Sequence, residues 1–338
     1  MITMDIFNQD AFSAISLTEA VRRSQTIPGL IGSLNLFTPV PVRTRLVAVE
    51  QKAQTLRIVQ TSEPGAPRTR RSLDKARIVD LRVRRIEEAS RLTAEEIQGI
   101  RAFGSETELK TMQMEVAERQ QTVIDDLSAT VERLRLSCIN GVLVDADNST
   151  IYDYYSTFGF TAASQIAFNW ASRTQCKQFV ANNVTRPIIR ALGGIAPPGM
   201  RIVALCGDDF FDLLQENAEY RATYLNTERA SDLLKNTVFQ SIEAWGVTWI
   251  NYRGTDDNST VAIPTAQARF FPVGVRGLFQ EAFAPAPTFS LVNTRGQEWY
   301  SRIVVDKDRE EWADIEVESH RLPICTRPET LLSGRAGT

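Results

Sequence analysis

Histidine is nearly missing from this chain: of 338 residues, only His320 is one. It lies in a strand-like run just before Arg321 and Pro323, so it reads as a structural residue. With no GxSxG and no Cys-His spacing, a hydrolase triad has no support. Cysteine is sparse too. Cys138, Cys176, Cys206 and Cys325 stand far apart with no CxxC pair, so zinc and redox motifs are unsupported and reduced thiols are expected. No apolar run approaches the length of a membrane span, and the opening MITMDIFNQDAF lacks a basic-then-apolar signal pattern. These absences predict a soluble chain made in a cytoplasm, with no membrane partner. P-loop and GxGxxG signatures are missing as well, and no cofactor is expected. Two acidic runs imitate chemistry. Gly207-Asp208-Asp209 has the look of a polymerase metal motif, but it stands where a helix starts and Asp is an ordinary N-cap. Asp145 to Ser149 begins like a calcium loop. Thr150 and Ser156 replace its sixth-position glycine and twelfth-position glutamate, so it reads as a hairpin turn. No metal site and no enzyme activity are expected.

The clearest element runs from Ser105 to Gly141. Leu109, Met112, Val116, Val123, Leu127, Val131, Leu134 and Cys138 fall at intervals of three, four or seven and draw one stripe down a helix. The Arg, Glu, Asp and Gln residues between them are expected to face away. Ser105 with Glu108 makes a capping box, and Asn140-Gly141 a stop. At ~1.5 Å per residue such a helix is about 50 Å long, a spine on which other elements lie or an arm of a coiled coil.

Charge is unevenly spread. Between Arg43 and Arg85 stand twelve basic residues against four acids, a local net of +8; the chain's total of -3 then leaves -11 for the remainder. Such a segment fits a nucleic-acid surface, an acidic patch on a neighbour or a solvated face. Residues 1–41 read as an arm with a short amphipathic helix at Ser16–Ser24, then Ile27-Pro28-Gly29-Leu30 and an extended apolar stretch. TRLVAVEQ, TLRIVQT and ARIVDLRVRRI alternate as strands, with a basic hairpin tip at Arg68, Arg70 and Arg71. A second capping box, Thr93 with Glu96, opens a short helix. Beyond the spine a hairpin turns at Asp147-Asn148-Ser149. Then come a helix over Ala162–Leu192 that Pro187 interrupts, a strand at Arg201–Leu205, a helix over Asp208–Leu225, a helix carrying Phe239 and Ile242, and a strand at Val247–Tyr252. Strand, helix and strand in this order predict an α/β unit. The last strands are expected at ARFFPVGVRG, TFSLVNTRG, EWYSRIVVDKD and ADIEVESHRLPICTRP, packed beside the spine.

This order of arm, basic hairpin, spine helix, inserted α/β unit and closing strands resembles tailed-bacteriophage major capsid proteins of the lambda type, the E family. The residues that carry the likeness are Ile27-Pro28-Gly29-Leu30, Val131 to Val144, Val273 to Leu278, and the tail from Trp312 through Ser319 to Leu332. The resemblance implies an α+β chain with the Hong Kong 97-type capsid fold. It implies an N-terminal arm at 1–41, an extended hairpin (E-loop) at 42–90, a peripheral domain from 91–180 and 281–338 that includes the spine helix 105–140, and an axial domain at 181–280. It also implies a structural role: many copies, as pentamers and hexamers, close an icosahedral head shell around packaged double-stranded DNA. Scaffold, portal and a small decoration protein are the implied partners. Contact with DNA would be nonspecific, and the place the virion, assembled in host cytoplasm. On this reading Arg68, Arg70, Arg71, Arg82, Arg84 and Arg85 form a contact between subunits. Two alternatives stay open: an encapsulin-like cellular compartment, and a nucleic-acid-binding module using the basic 43–85 hairpin. The shells predict large closed particles, whereas the module predicts a small, salt-sensitive DNA binder.

Overall fold

A computed structural model describes residues 13–23, 29–51, 77–99, 108–193, 197–225, 241–253 and 261–337. In chain order, the first elements are α1 (Ala14–Arg23), α2 (Leu30–Ser33), β1 (Thr38–Pro41), β2 (Leu46–Gln51), β3 (Arg77–Arg82), β4 (Arg84–Thr93), α3 (Ala94–Gly99) and α4 (Glu108–Ile139). Then follow β5 (Val142–Val144), β6 (Thr150–Asp153), α5 (Tyr154–Phe158), β7 (Ile166–Ala167), α6 (Cys176–Val180) and α7 (Arg186–Ala191). Next are β8 (Arg201–Cys206), α8 (Asp208–Glu216), α9 (Ala218–Leu225), β9 (Ser241–Ala244) and β10 (Val247–Asn251). The last are β11 (Gln267–Val273), β12 (Phe279–Phe283), β13 (Tyr300–Val305), β14 (Trp312–Cys325) and β15 (Leu332–Arg335). None of the described helices is long and apolar enough to cross a membrane. The chain divides into two compact units, one of residues 1–47, 82–135 and 280–324, the other of 48–81, 136–279 and 325–338.

The first unit is built on α4. Its stripe is buried at Val116, Val123, Leu127, Val131 and Leu134, as the spacing predicts. Val21 of α1, Trp299 and Val317 close over Val123, Ile124, Leu127 and Val131, with Ile86 alongside. The Thr93–Glu96 capping box forms in both directions, at 3.0 and 3.4 Å. Among the described Gln and Glu residues of α4, Gln120 and Glu132 depart from the expected outward face. Gln120 is buried and donates to Ser301 Oγ at 2.9 Å. Glu132 is buried because its carboxylate accepts the Ile31 N–H at 2.8 Å, satisfying an otherwise orphan donor in the first turn of α2.

This contact explains the glycine of the early Ile-Pro-Gly-Leu run, whose Ile27 and Pro28 lie outside the described residues. A Cβ on Gly29 would sit 2.2 Å from the Glu132 carboxyl carbon. Gly29→Ala is therefore expected to displace that carboxylate and strand the Ile31 N–H, at a cost of about 1–3 kcal/mol. A thermal melt unchanged by the substitution would contradict this.

The sheet of this unit runs β1-β12-β14-β13, and β4 also pairs with β14. The apolar arm does lie along its own chain, since β1 pairs parallel with β12 from Thr38↔Gln280 to Pro41↔Phe283. As the outer strand it tolerates Pro39 and Pro41, which cannot donate to a ladder. At the other side α1 lies against β13, and the Thr18 hydroxyl serves the edge backbone. It accepts from Ser301 N at 3.2 Å and donates to Ser301 O at 3.3 Å. The strand expected over ARIVDLRVRRI is two strands. Val83 is buried and donates its N–H to Arg45 O at 2.9 Å, so β3 pairs with β2 while β4 joins β14. TLRIVQT lies outside the described residues.

The second unit holds a six-stranded sheet ordered β7-β15-β11-β8-β10-β9. β8 and β10 are parallel, Val247 opposite Ile202, joined through α8 and α9, which is the expected α/β arrangement. Three local expectations need correction. The helix expected from Ala162 begins only at Cys176. Ile166 and Ala167 instead pair with Gly334 and Arg335, and Phe168 and Trp170, two apart, both enter the core. Ile166 and Trp170 also stand four apart, so the same residues imitate a helical stripe. The helix at Asp208–Leu225 breaks at Asn217, whose side chain accepts the Glu219 and Tyr220 N–H groups at 3.0 and 3.3 Å and caps α9. Ile242 lies in strand β9, not in a helix, and Phe239 is outside the described residues. The Pro187 interruption is real: a π-helical turn at Ala181–Thr185 precedes α7. The packing centre is aromatic. Phe168 has Trp170, Phe179, Phe210, Trp249 and Phe270 within 4.9–6.1 Å between ring centroids.

Candidate assembly surface

Among the described residues of the first unit, the candidate functional feature is a charged face. That face is organised by β14. From Trp312 to Val317 the strand alternates, with Ala313, Ile315 and Val317 buried and Asp314 and Glu316 partly exposed. Each of these acids meets a guanidinium directly across the ladder. Arg91 of β4 lies opposite Asp314 and grips it with two bonds of 2.8 and 2.9 Å, while its guanidinium sits 4.3 Å from the Trp312 ring centroid. Arg302 of β13 lies opposite Glu316 and bonds it at 2.5 Å. Glu318 takes His320 at 3.2 Å and Arg85 at 3.7 Å. Opposed charges at facing positions of an antiparallel pair stabilise the sheet modestly and fix its register.

Deeper in the strand both faces are covered, which the alternating pattern of its first half does not foretell. Glu281 of β12 is buried and its carboxylate meets two arginines, Arg135 of α4 at 2.6 Å and Arg321 of β14 at 3.3 Å. Arg321 is itself buried. It donates to Ser319 Oγ at 2.8 Å and Glu298 O at 3.0 Å, and stands 4.4 Å from the Trp299 ring and 5.3 Å from Phe283. Burial pushes the guanidinium down from its ordinary value, and Glu281 opposes that push. β12 escaped the sequence reading because Gln280 and Glu281 interrupt its apolar pattern. The usable signal was Glu318, His320 and Arg321 standing together in a run that ends Leu-Pro-Ile-Cys.

Of the six arginines singled out above, three fall among the described residues. Arg68, Arg70 and Arg71 lie outside them. Arg82 ends β3 and Arg84 opens β4, both exposed. Arg85 is engaged within the chain by Glu87 and Glu318. His320 is structural, as expected, buried against Glu318. Asp208 and Asp209 occupy the first turn of α8, but the N-cap is Gly207. Asp208 instead accepts from Asn251 at 2.9 Å and Arg253 at 3.1 Å. The Asp145–Ser149 run is the expected turn, closed by Asp145 N to Ser149 O at 2.9 Å. Among the described residues no group of three or more His, Cys, Asp or Glu side chains is placed to hold a metal.

The hydrogen bond from His320, with Arg302 and Arg85 nearby, holds the Glu318 carboxyl below its ordinary value although burial raises it. Its contribution to stability is therefore complete above the unfolded carboxyl's titration and is lost as pH falls through the folded value. Glu318→Gln is expected to flatten the acid side of the stability curve below about pH 4.5, the ordinary carboxyl value. Denaturant midpoints measured between neutral and acid pH check this; parallel curves for the two proteins would refute it.

The phage major capsid protein E family profile matches residues 13–336. The chain belongs to that family. It is 24% identical to the major capsid protein of Salmonella phage Felix O1 (isolate Felix O1-VT1) over 364 residues, covering 96% of this chain and 97% of the relative. Two solved structures share its fold. One is a prophage protein of Escherichia coli CFT073 described as a capsid protein, with TM-score 0.57, 12% identity, and 96% and 98% of the two chains covered. The other is the capsid asymmetric unit of Cyanophage A-1(L), with TM-score 0.52, 9% identity and 94% of each covered. The α+β architecture is accordingly the Hong Kong 97-type capsid fold, and the chain is a structural subunit of a phage shell, as its family is.

Proposed function

We propose that copies of this chain close, as pentamers and hexamers, into the icosahedral head of a tailed phage in the host cytoplasm and hold packaged double-stranded DNA there without sequence preference. The observation that carries this reading is the family match over nearly the whole chain. The arm is assigned to 1–41 and the E-loop hairpin to 42–90. The peripheral domain takes 91–180 and 281–338, and the axial domain 181–280. Scaffold, portal and decoration proteins are the partners this assignment calls for.

Within the shell, Arg68, Arg70, Arg71, Arg82, Arg84 and Arg85 are assigned to an acidic surface of the neighbouring subunit. Support comes from the +8 segment and from the exposure of Arg82 and Arg84. Arg85, already committed to Glu87 and Glu318, contributes least. Changing Arg68, Arg70 and Arg71 together to Glu is expected to cut particle yield by about tenfold or more while circular dichroism stays that of a folded subunit. Particles at the normal yield would remove these residues from the contact.

A further inference from the structure

The exposed apolar surface of the first unit has one conspicuous point. Phe289 is fully exposed and Val292 is 61% exposed, on a segment that the sequence pattern marks as a strand. The structure shows a 3-10 turn at Phe289–Leu291 instead. The turn is firmly built. Thr288 N donates to Ala286 O at 2.9 Å, Leu291 N to Thr288 O at 3.0 Å, and the Thr294 hydroxyl to Leu291 O at 2.7 Å. Pro285 and Pro287 stiffen the approach. An aromatic side chain offered wholly to solvent from a hydrogen-bonded turn is a ready anchor for a partner surface.

Beside it lies a cavity of about 240 Å³, lined by Ala14 and Thr18 of α1, by Leu291 and Gln297, and by Tyr300 of β13. A cavity of roughly 150 Å³ is enough to accept benzene, so this one has room for a phenyl ring. Thr288 and Ser290, the immediate neighbours of Phe289, line the same cavity. Projection and cavity are therefore side by side on one chain, the arrangement that lets two copies related by a twofold axis make both contacts at once. Charge agrees: Arg295 is the only charged residue between Ala286 and Gln297, and the cavity lining carries two carboxylates, Glu19 and Glu318, against one guanidinium, Arg302.

We infer that Phe289 of one subunit enters this cavity on a second copy of the chain, with Arg295 reaching Glu19 across the contact. The inference rests on the shell reading above and names one contact within it. Two single variants, Ala14→Cys and Phe289→Cys, are assembled as a mixture and oxidised. All four native cysteines are buried, so background linkage is low. A disulfide-linked dimer that appears only in the mixture is expected, because each chain then carries one half of the contact. Phe289→Asp should lower particle yield by about tenfold or more. Normal particles without the cross-link, together with wild-type yield for Phe289→Asp, would overturn this contact and leave the shell reading intact. A chain that never associates would overturn both.

Discussion

Glu281→Ala is expected to destabilise the first unit by about 3–5 kcal/mol, the usual result when one partner of a buried ion pair is removed. The carboxylate is 3% exposed and serves two cations, Arg135 at 2.6 Å and Arg321 at 3.3 Å. Arg135 is 18% exposed and can recover some water, but Arg321 is 1% exposed. Without Glu281 its hydrogen bonds among the described residues go to neutral acceptors, Ser319 Oγ and Glu298 O, beside the faces of Trp299 and Phe283, with the Glu298 carboxylate acting only through its charge. Those neutral contacts do not offset the desolvation of a full charge. The pair as a whole stabilises far less than its loss costs. Glu281→Leu combined with Arg321→Met is therefore expected to recover much of the deficit. Urea unfolding of Glu281→Leu, Arg321→Met and the double variant measures the coupling directly. If the single and double variants lose equal stability, the charge pair is not what holds β12 against β14.

The second large effect lies in the aromatic core of the second unit. Phe168→Ala removes a ring that touches five others and is expected to cost about 3–5 kcal/mol. The surroundings cannot easily collapse into the space. Trp249 and Phe210 are held on neighbouring strand and helix positions, and both are fully buried. The ring also lies against the backbone of Gly334, where a Cβ would come within 2.6 Å of it. Gly334→Ala should thus strain the same contact from the other side. Phe168→Leu, which keeps much of the volume, should cost clearly less. Equal losses for Ala and Leu would show that the cost is not set by the volume left empty.

These two centres differ in how far the sequence exposes them. The spine helix was legible because α4 keeps one stripe from Val116 to Cys138, and the capping box at Thr93 because its two side chains are three residues apart. Both are local patterns. The α/β unit was legible for a similar reason: β8 and β10 are short apolar runs separated by helical residues. What stayed hidden depends on partners distant in sequence. Glu281 makes sense only when Arg321, forty residues later, is folded over it. Phe168 and Trp170 are read as helical until β15 supplies the strand beside them. Phe289 alternates with Leu291 as a strand would, yet the hydrogen bonds of its own turn close it first. Of the candidate contact, the basic character of the 43–85 segment could be read directly. The internal neutralisation of Arg85 could not, because Glu318 comes from another strand.

The most direct test of the shell assignment is the size of what the full chain forms, read by sedimentation and negative-stain electron microscopy of the same preparation. The account predicts closed particles, each made of many copies, with Arg68, Arg70 and Arg71 replacement depleting them and leaving folded subunits behind. A uniform monomer that instead binds DNA with an affinity falling steeply as salt rises would contradict it, and would assign the basic segment to nucleic acid.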